Sequence, residues 1–338
     1  MPSARAQTPL APSNLFSTVA LSRMTRNGAG ELEDLTFSRG EPIQNPHLIV
    51  KDPSLFERPD VPHRLPPSRL PPAGNMHLTL RLGQMLGYGA VGRIFSAAFD
   101  HDRSDTSLTN MLFPPLVVKV SSPEMTGALL AEAQNYANME SLQGVTVPYC
   151  YGVYVAELPK GSEFLPWQLK VSDENDIDTT KGFSTNLVSI LIMERTGGRV
   201  SVRRLLSFNR AESKAFYAEL AALYADLADV GMWHCDVTHC NVVKAYKHSL
   251  FREKTSRHWR KPYQYRLVDF HSSARTNMKK DAIASQQWGA IIGSFSRYSF
   301  QMVPATTRRK REPAALKEHE AAVPSRALEA SNLPESHH

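Results

Sequence analysis

Trp233-His234-Cys235-Asp236-Val237-Thr238-His239-Cys240-Asn241 is the stretch on which the reading of this chain turns. The spacing His-x-Asp-x-x-x-x-Asn puts an aspartate and an asparagine on one short loop. Phosphoryl transfer asks for that pair: a carboxylate to orient a hydroxyl nucleophile and an amide oxygen to hold a metal ion. Four further features stand around the loop in the order this chemistry needs. Leu86-Gly87-Tyr88-Gly89-Ala90-Val91-Gly92 is a glycine-rich turn between two strand-like runs, and Leu116-Val117-Val118-Lys119-Val120 is an apolar run interrupted by one charge. Glu132 falls in the helical pattern that follows, and Leu267-Val268-Asp269-Phe270-His271 trails the loop.

Each feature has a physical reason and a plainer alternative. Gly87, Gly89 and Gly92 leave room for a backbone to approach phosphate, although a glycine-rich hairpin turn does the same without a ligand. Lys119 in an apolar strand is costly unless it reaches phosphate and a carboxylate, although an edge-strand lysine can snorkel to water. Glu132 is the expected partner, with Glu140 two helical turns later as its competitor. His234, Cys235, His239 and Cys240 suggest a zinc site. Zinc, however, favours ligands in closely spaced pairs that converge from separate segments, and these four are interleaved on one loop.

Taken together, the motifs resemble those of eukaryotic-type protein kinases over residues 77–299, and within that superfamily the divergent fungal-type protein-kinase-like sequences. The resemblance implies an α+β, two-lobed fold. A small antiparallel β lobe with one helix would occupy residues 76–195, and a reduced, mainly helical large lobe residues 196–300. It also implies ATP and Mg²⁺ as cofactors. Lys119 and Glu132 would position phosphates, Asp236 would accept the proton of the acceptor hydroxyl, and Asn241 with Asp269 would hold the metal. Gly87, Gly89 and Gly92 would cover the nucleotide, Met193 would border the adenine, and the Glu194-Arg195 backbone would bind its edge. The implied acceptor is a protein hydroxyl, serine or threonine ahead of tyrosine.

The chain departs from that family at four places. Cys235 stands where arginine is usual, Thr238 where serine/threonine kinases carry lysine, and His271 where glycine is usual; no Ala-Pro-Glu follows. These departures open a second reading, a pseudokinase acting as a nucleotide-binding or interaction scaffold. A third reading is a small-molecule kinase of the aminoglycoside or choline type, which shares the catalytic-loop spacing. A fourth is nucleic-acid binding through residues 251–266, where Arg252, Lys254, Arg257, Arg260 and Lys261 alternate with Trp259, Tyr263 and Tyr265. The plainer account of that stretch is a solvated hairpin.

The remaining expectations concern organisation. A chain of 338 residues, 42% hydrophobic and 21% charged, suits one large domain with tails. Residues 1–75, crowded with Pro and Ser, read as largely extended linker, with residues 47–51 a candidate extra strand. Residues 301–338 read as a polar, disordered tail in which Arg308-Arg309-Lys310-Arg311 resembles an import signal. Strands are expected over 76–86, 93–99, 116–120, 149–155 and 187–193. A helix is expected after Ser122, and another from a capping box at Asn209 and Glu212, with Phe216, Leu220, Leu223, Leu227 and Val230 on its buried face. The net charge of +6 favours acidic partners. Three cysteines without framework spacing, no apolar run of about 18 residues and no secretory leader pattern together point to an intracellular protein, cytoplasmic or nuclear, without a membrane span.

Overall fold

The computed structural model describes residues 10–43, 65, 67–100, 102–170, 186–246 and 255–295. The candidate strand at 47–51 and the tail at 301–338 lie outside the described residues.

The chain opens with two strands where a linker was expected, β1 (Phe16–Arg26) and β2 (Leu32–Arg39). Next come β3 (Met76–Tyr88), β4 (Gly92–Phe99), β5 (Leu116–Ser121), α1 (Thr126–Asn138), β6 (Cys150–Glu157), the short β7 (Glu163–Phe164) and β8 (Leu169–Lys170), and β9 (Leu187–Glu194). The second half holds α2 (Val202–Leu206), α3 (Arg210–Asp229), β10 (Met232–Trp233), β11 (Val242–Lys244), β12 (Tyr265–Leu267), β13 (Ala274–Arg275) and α4 (Lys280–Phe295). The Asn209–Glu212 capping box is formed in both directions, and the five apolar positions expected on the inner face of α3 are all buried.

Strand pairing overturns the two-lobed architecture. The sheet runs β2-β6-β9-β5-β4-β3-β1, and β1 also pairs with β2, so seven strands close into a barrel. The β1–β3 pair is parallel and the other barrel pairs are antiparallel, which makes the barrel mixed. Only four helices stand beside it among the described residues, one of them a single short turn of five residues. There is no open antiparallel lobe facing a mainly helical one. The physical reason is the segment read as linker: β1 and β2 cover the two edges that β3 and β6 would otherwise expose, and closure removes both.

Period-two alternation fills the barrel. Leu78, Leu80, Val118, Val120, Ile190 and Ile192 belong to one buried cluster with Val19, Leu21 and Phe37 from the first two strands. Val117, Leu191 and Met193, on the opposite face of their strands, join a second cluster with α1 and α3. A hydrogen-bonding knot secures the seam. Arg39 Nε donates to the Phe16 carbonyl at 2.7 Å, and its Nη2 donates to the Tyr154 hydroxyl at 3.0 Å and the Tyr151 carbonyl at 3.3 Å. Gly152 beside it has φ +114°, and a Cβ there would lie 2.6 Å from Arg39 Nη1, so only glycine fits.

The second half packs on α3 through buried carboxylates. Asp226 accepts hydrogen bonds from the hydroxyls of Thr146 and Ser256, both at 2.8 Å, and of Tyr263 at 2.9 Å. Glu219 accepts from the backbone N–H groups of Gln264 and Tyr265. These bonds pin the basic, aromatic stretch before β12 against the helix. Trp259 and Tyr263 stack on one another, centroids 6.1 Å apart, and the Lys261 ammonium sits 4.3 Å over the Trp259 ring. Among the described residues, no helix is long and apolar enough to cross a membrane.

A chain that begins at residue 41 is expected to lose its cooperative thermal transition, and Arg39→Met to lower stability by about 2–3 kcal/mol through its charged hydrogen bonds. Calorimetry decides: an unchanged transition in the truncated chain would make the first two strands the linker that composition suggested.

Candidate functional site

Because the barrel interior is filled, the site lies outside it. A cavity of about 260 Å³ opens between the outer face of β3, β4, β5 and β9 and the loops that follow β10 and β12. Lys119 sits on β5 opposite Ile94 of β4 and Leu191 of β9, with Val118 and Val120 turned into the barrel. Its ammonium therefore points outward to α1. Lys119 Nζ donates to Glu132 Oε2 at 2.6 Å and to Asp269 Oδ1 at 2.8 Å. Glu140 is not the partner: its carboxylate takes the Ser68 hydroxyl at 2.6 Å and the Arg69 N–H at 2.8 Å.

Two small ribbons bring the loop residues together. β10 pairs with β13 and β11 with β12, so the 234–241 and 268–273 loops lie side by side. Val268 N–H donates to the Asn241 carbonyl at 3.0 Å. Asn241 Nδ2 donates to Asp236 Oδ2 at 2.8 Å and to the Asp236 carbonyl at 2.9 Å. From α1, Asn135 Nδ2 holds the carbonyls of Phe270 and Ser273, both at 2.8 Å. Gly87, Gly89, Gly92, Lys119, Glu132, Met193, Glu194, Asn241 and Asp269 all line the cavity. Asp236 does not; it is joined to the lining by its hydrogen bonds from Asn241.

The electrostatics follow from burial. Desolvation works against the charge of Lys119, yet the Glu132 and Asp269 carboxylates hold its pKa above the ordinary lysine value. Burial alone would raise Asp269; the hydrogen bond from His271 Nδ1, at 3.0 Å, and the Lys119 charge instead hold it far below the usual carboxylate range. Burial dominates at Glu132 and raises it, with Lys119 only partly offsetting. Of the two carboxyls that hold Lys119, Glu132 is thus the weaker acid. Its Oε1 is buried with no hydrogen-bond partner among the described residues.

His234 is fully buried, and burial lowers its pKa from the usual 6.5. Its Nε2 lies 3.1 Å from the Val268 carbonyl and carries the proton, while Nδ1 accepts the Asp236 N–H at 3.3 Å. Those bonds tie the two loops together and leave His234 no part in a zinc site. Among the described residues no group of three or more His, Cys, Asp and Glu gathers around a common point. The Asn241 amide oxygen and the Asp269 carboxylate are hard oxygen donors, the type magnesium takes alongside substrate phosphates. Asp269 has φ +67°, in the left-handed region that non-glycine residues seldom adopt.

Sequence reasoning missed Tyr136 and Arg199 in the lining, whereas Arg195, expected there through its backbone, is present. Tyr136 was legible in principle, since it stands at i+4 from Glu132 on one helix face. Arg199 depends on the 197–200 segment pairing with β11, which no local pattern announces. No family model matches the chain, and no curated protein is similar to it in sequence.

A Cβ at Gly92 would lie 2.8 Å from the Val120 carbonyl oxygen and 3.1 Å from Lys119 Cγ, whereas Gly89 has nothing within 4 Å. Gly92→Ala is therefore expected to cost about 1–3 kcal/mol of stability by overpacking, and Gly89→Ala to stay within about 0.5 kcal/mol, as read by urea denaturation. A second outcome concerns pH. His234 has a folded pKa below its unfolded one, so its contribution is intact above pH 6.5 and is lost as pH falls toward the folded value. The denaturation midpoint should hold steady between about pH 8 and about pH 7, then decline by up to about 1.4 kcal/mol per pH unit. His234→Gln should lack that component of the decline; an identical pH profile would count against a neutral buried imidazole.

Proposed function

We propose that the cavity binds a magnesium–nucleotide complex, with ATP as donor, and that Asp236 orients an acceptor hydroxyl for phosphoryl transfer. One observation carries the reading: Lys119, Glu132, Asn241 and Asp269, far apart in sequence, line one cavity, with Lys119 bonded to both carboxylates. Lys119 would take phosphate oxygens, Glu132 would hold Lys119, and Asn241 with Asp269 would hold the metal, which screens phosphate charge when bound. Asp236, outside the lining but bonded to Asn241, would meet an acceptor that need not enter the nucleotide cavity, as a protein hydroxyl need not. The resemblance to protein kinases is, on this reading, one of site chemistry. The three free cysteines favour a reducing, intracellular compartment, cytoplasmic or nuclear.

A second reading, a nucleotide-binding scaffold without turnover, has its own support. Lys119 and His271 both engage Asp269 Oδ1, and Asn241 occupies Asp236 Oδ2, so one oxygen of each carboxylate is already taken up in holding the fold. The test is ATP binding by calorimetry with and without Mg²⁺, followed by phosphate transfer to the chain itself and to generic protein acceptors. Magnesium-dependent binding is expected, weakened by Lys119→Met, with transfer abolished by Asp236→Asn. Binding without transfer would favour the scaffold, and no binding at all would end both readings.

A further inference from the structure

Residues 195–210 carry five arginines, Arg195, Arg199, Arg203, Arg204 and Arg210, and no acidic residue. This strip forms the rim of the cavity: Arg195 and Arg199 line it, and the Arg199 guanidinium lies 3.7 Å from where a Gly87 side chain would begin. Its backbone is locked to β11. Gly197 N–H donates to the Lys244 carbonyl at 2.8 Å, Lys244 N–H to Gly198 at 3.1 Å, and Val200 N–H to Val242 at 3.0 Å. β11 leads directly out of Asn241, which holds Asp236, so the strip stands in fixed register with the catalytic loop. Lys244 adds a further exposed cation beside it.

Most of this charge is uncompensated. Arg204 has an acidic partner, Glu212 at 3.8 Å on the surface; Arg195, Arg199, Arg203 and Lys244 have none among the described residues. A fold gains nothing from clustering like charges, which repel. Such a cluster beside a cavity focuses anions onto it and sets both association rate and partner choice.

From this we infer that the strip docks an acidic peptide segment that carries the acceptor hydroxyl, an inference that rests on the phosphotransfer reading above. Two observations favour a peptide over nucleic acid. The strip offers no free aromatic face for base stacking: Phe208 lies under the Arg204 guanidinium, 5.1 Å away, and packs on Phe216 at 5.5 Å. It does offer an apolar anchor, since Leu206 is 63% exposed among the arginines. An acidic segment with one aliphatic side chain matches both features.

Fluorescence anisotropy on the full chain tests this with three labelled peptides of equal length. Each holds one serine and one leucine, flanked by glutamate, glutamine or lysine; a labelled single-stranded RNA is the fourth probe. The glutamate peptide should bind about tenfold more tightly than the glutamine peptide at low salt, an advantage that salt should erode. Arg203→Glu with Lys244→Glu, neither in the cavity lining, should remove that preference and leave Mg·ATP affinity within about twofold, because exposed charges act weakly over distance in salt. Equal binding of the glutamate and glutamine peptides, tighter binding of the RNA, or a preference that survives the double variant would overturn the proposal. ATP binding without the preference removes the strip alone. The preference without ATP binding removes the phosphotransfer reading and, with it, the acceptor role.

Discussion

The ammonium of Lys119 is the constraint on which the arrangement depends. It is 4% exposed and belongs to a strand whose alternate residues fill the barrel, so it can neither snorkel to water nor turn inward. A buried charge without partners costs several kcal/mol. Glu132 and Asp269 offset that cost, and to do so α1 and the loop after β12 must both be where they are. One lysine thus fixes three elements that share no strand pairing. Asn135 and Tyr136 reinforce the link, the first through two carbonyls of the 268–273 loop and the second through its edge-to-face contact with Phe270, centroids 5.3 Å apart.

The parts of the site that the sequence made legible are those whose chemistry is local. A lone lysine in a β-branched run, a glutamate in the helix after it, and an Asp–Asn loop flanked by short apolar runs all announce themselves because each violates or completes a local pattern. Their convergence was inferred from order along the chain, and the ribbons β10–β13 and β11–β12 supply the physical means. The glycine turn was legible for a partly different reason than supposed. At Gly92 the absent side chain makes room for the Val120 carbonyl and the Lys119 stem, whereas Gly89 faces open space. Arg199 stayed hidden since only a tertiary pairing, with Val243 of β11, brings it to the rim.

The barrel was hidden by composition. Pro is the commonest residue over 1–75, and that composition masks two short runs, Phe16 to Met24 and Leu35 to Phe37, whose apolar residues are buried. Strand propensity depends on the surface available to pack against, and that surface is distant in sequence: β1 lies beside β3 and β2 beside β6. The five expected strands all formed, but an antiparallel sheet with two free edges and a barrel closed by two more strands predict the same local patterns. Only the edges distinguish them, and edges are a property of the whole sheet.

Charge balance explains the state of the site. Lys119, Glu132 and Asp269 bring one positive and two potentially negative groups into contact, and burial resolves the excess by making Glu132 the weaker acid. Asp269 holds its charge because one oxygen meets both the Lys119 ammonium and His271 Nδ1, while its other oxygen makes no hydrogen bond among the described residues. A histidine in place of a small residue after Asp269-Phe270 therefore does more than restrict the backbone. It supplies a proton-bearing group that holds the carboxylate in one orientation, and it does so from a half-buried position where burial opposes its own charge. The same charge balance ties the cavity lining together, since Lys119, Glu132 and Asp269 all border that space and each constrains the ionisation of the others.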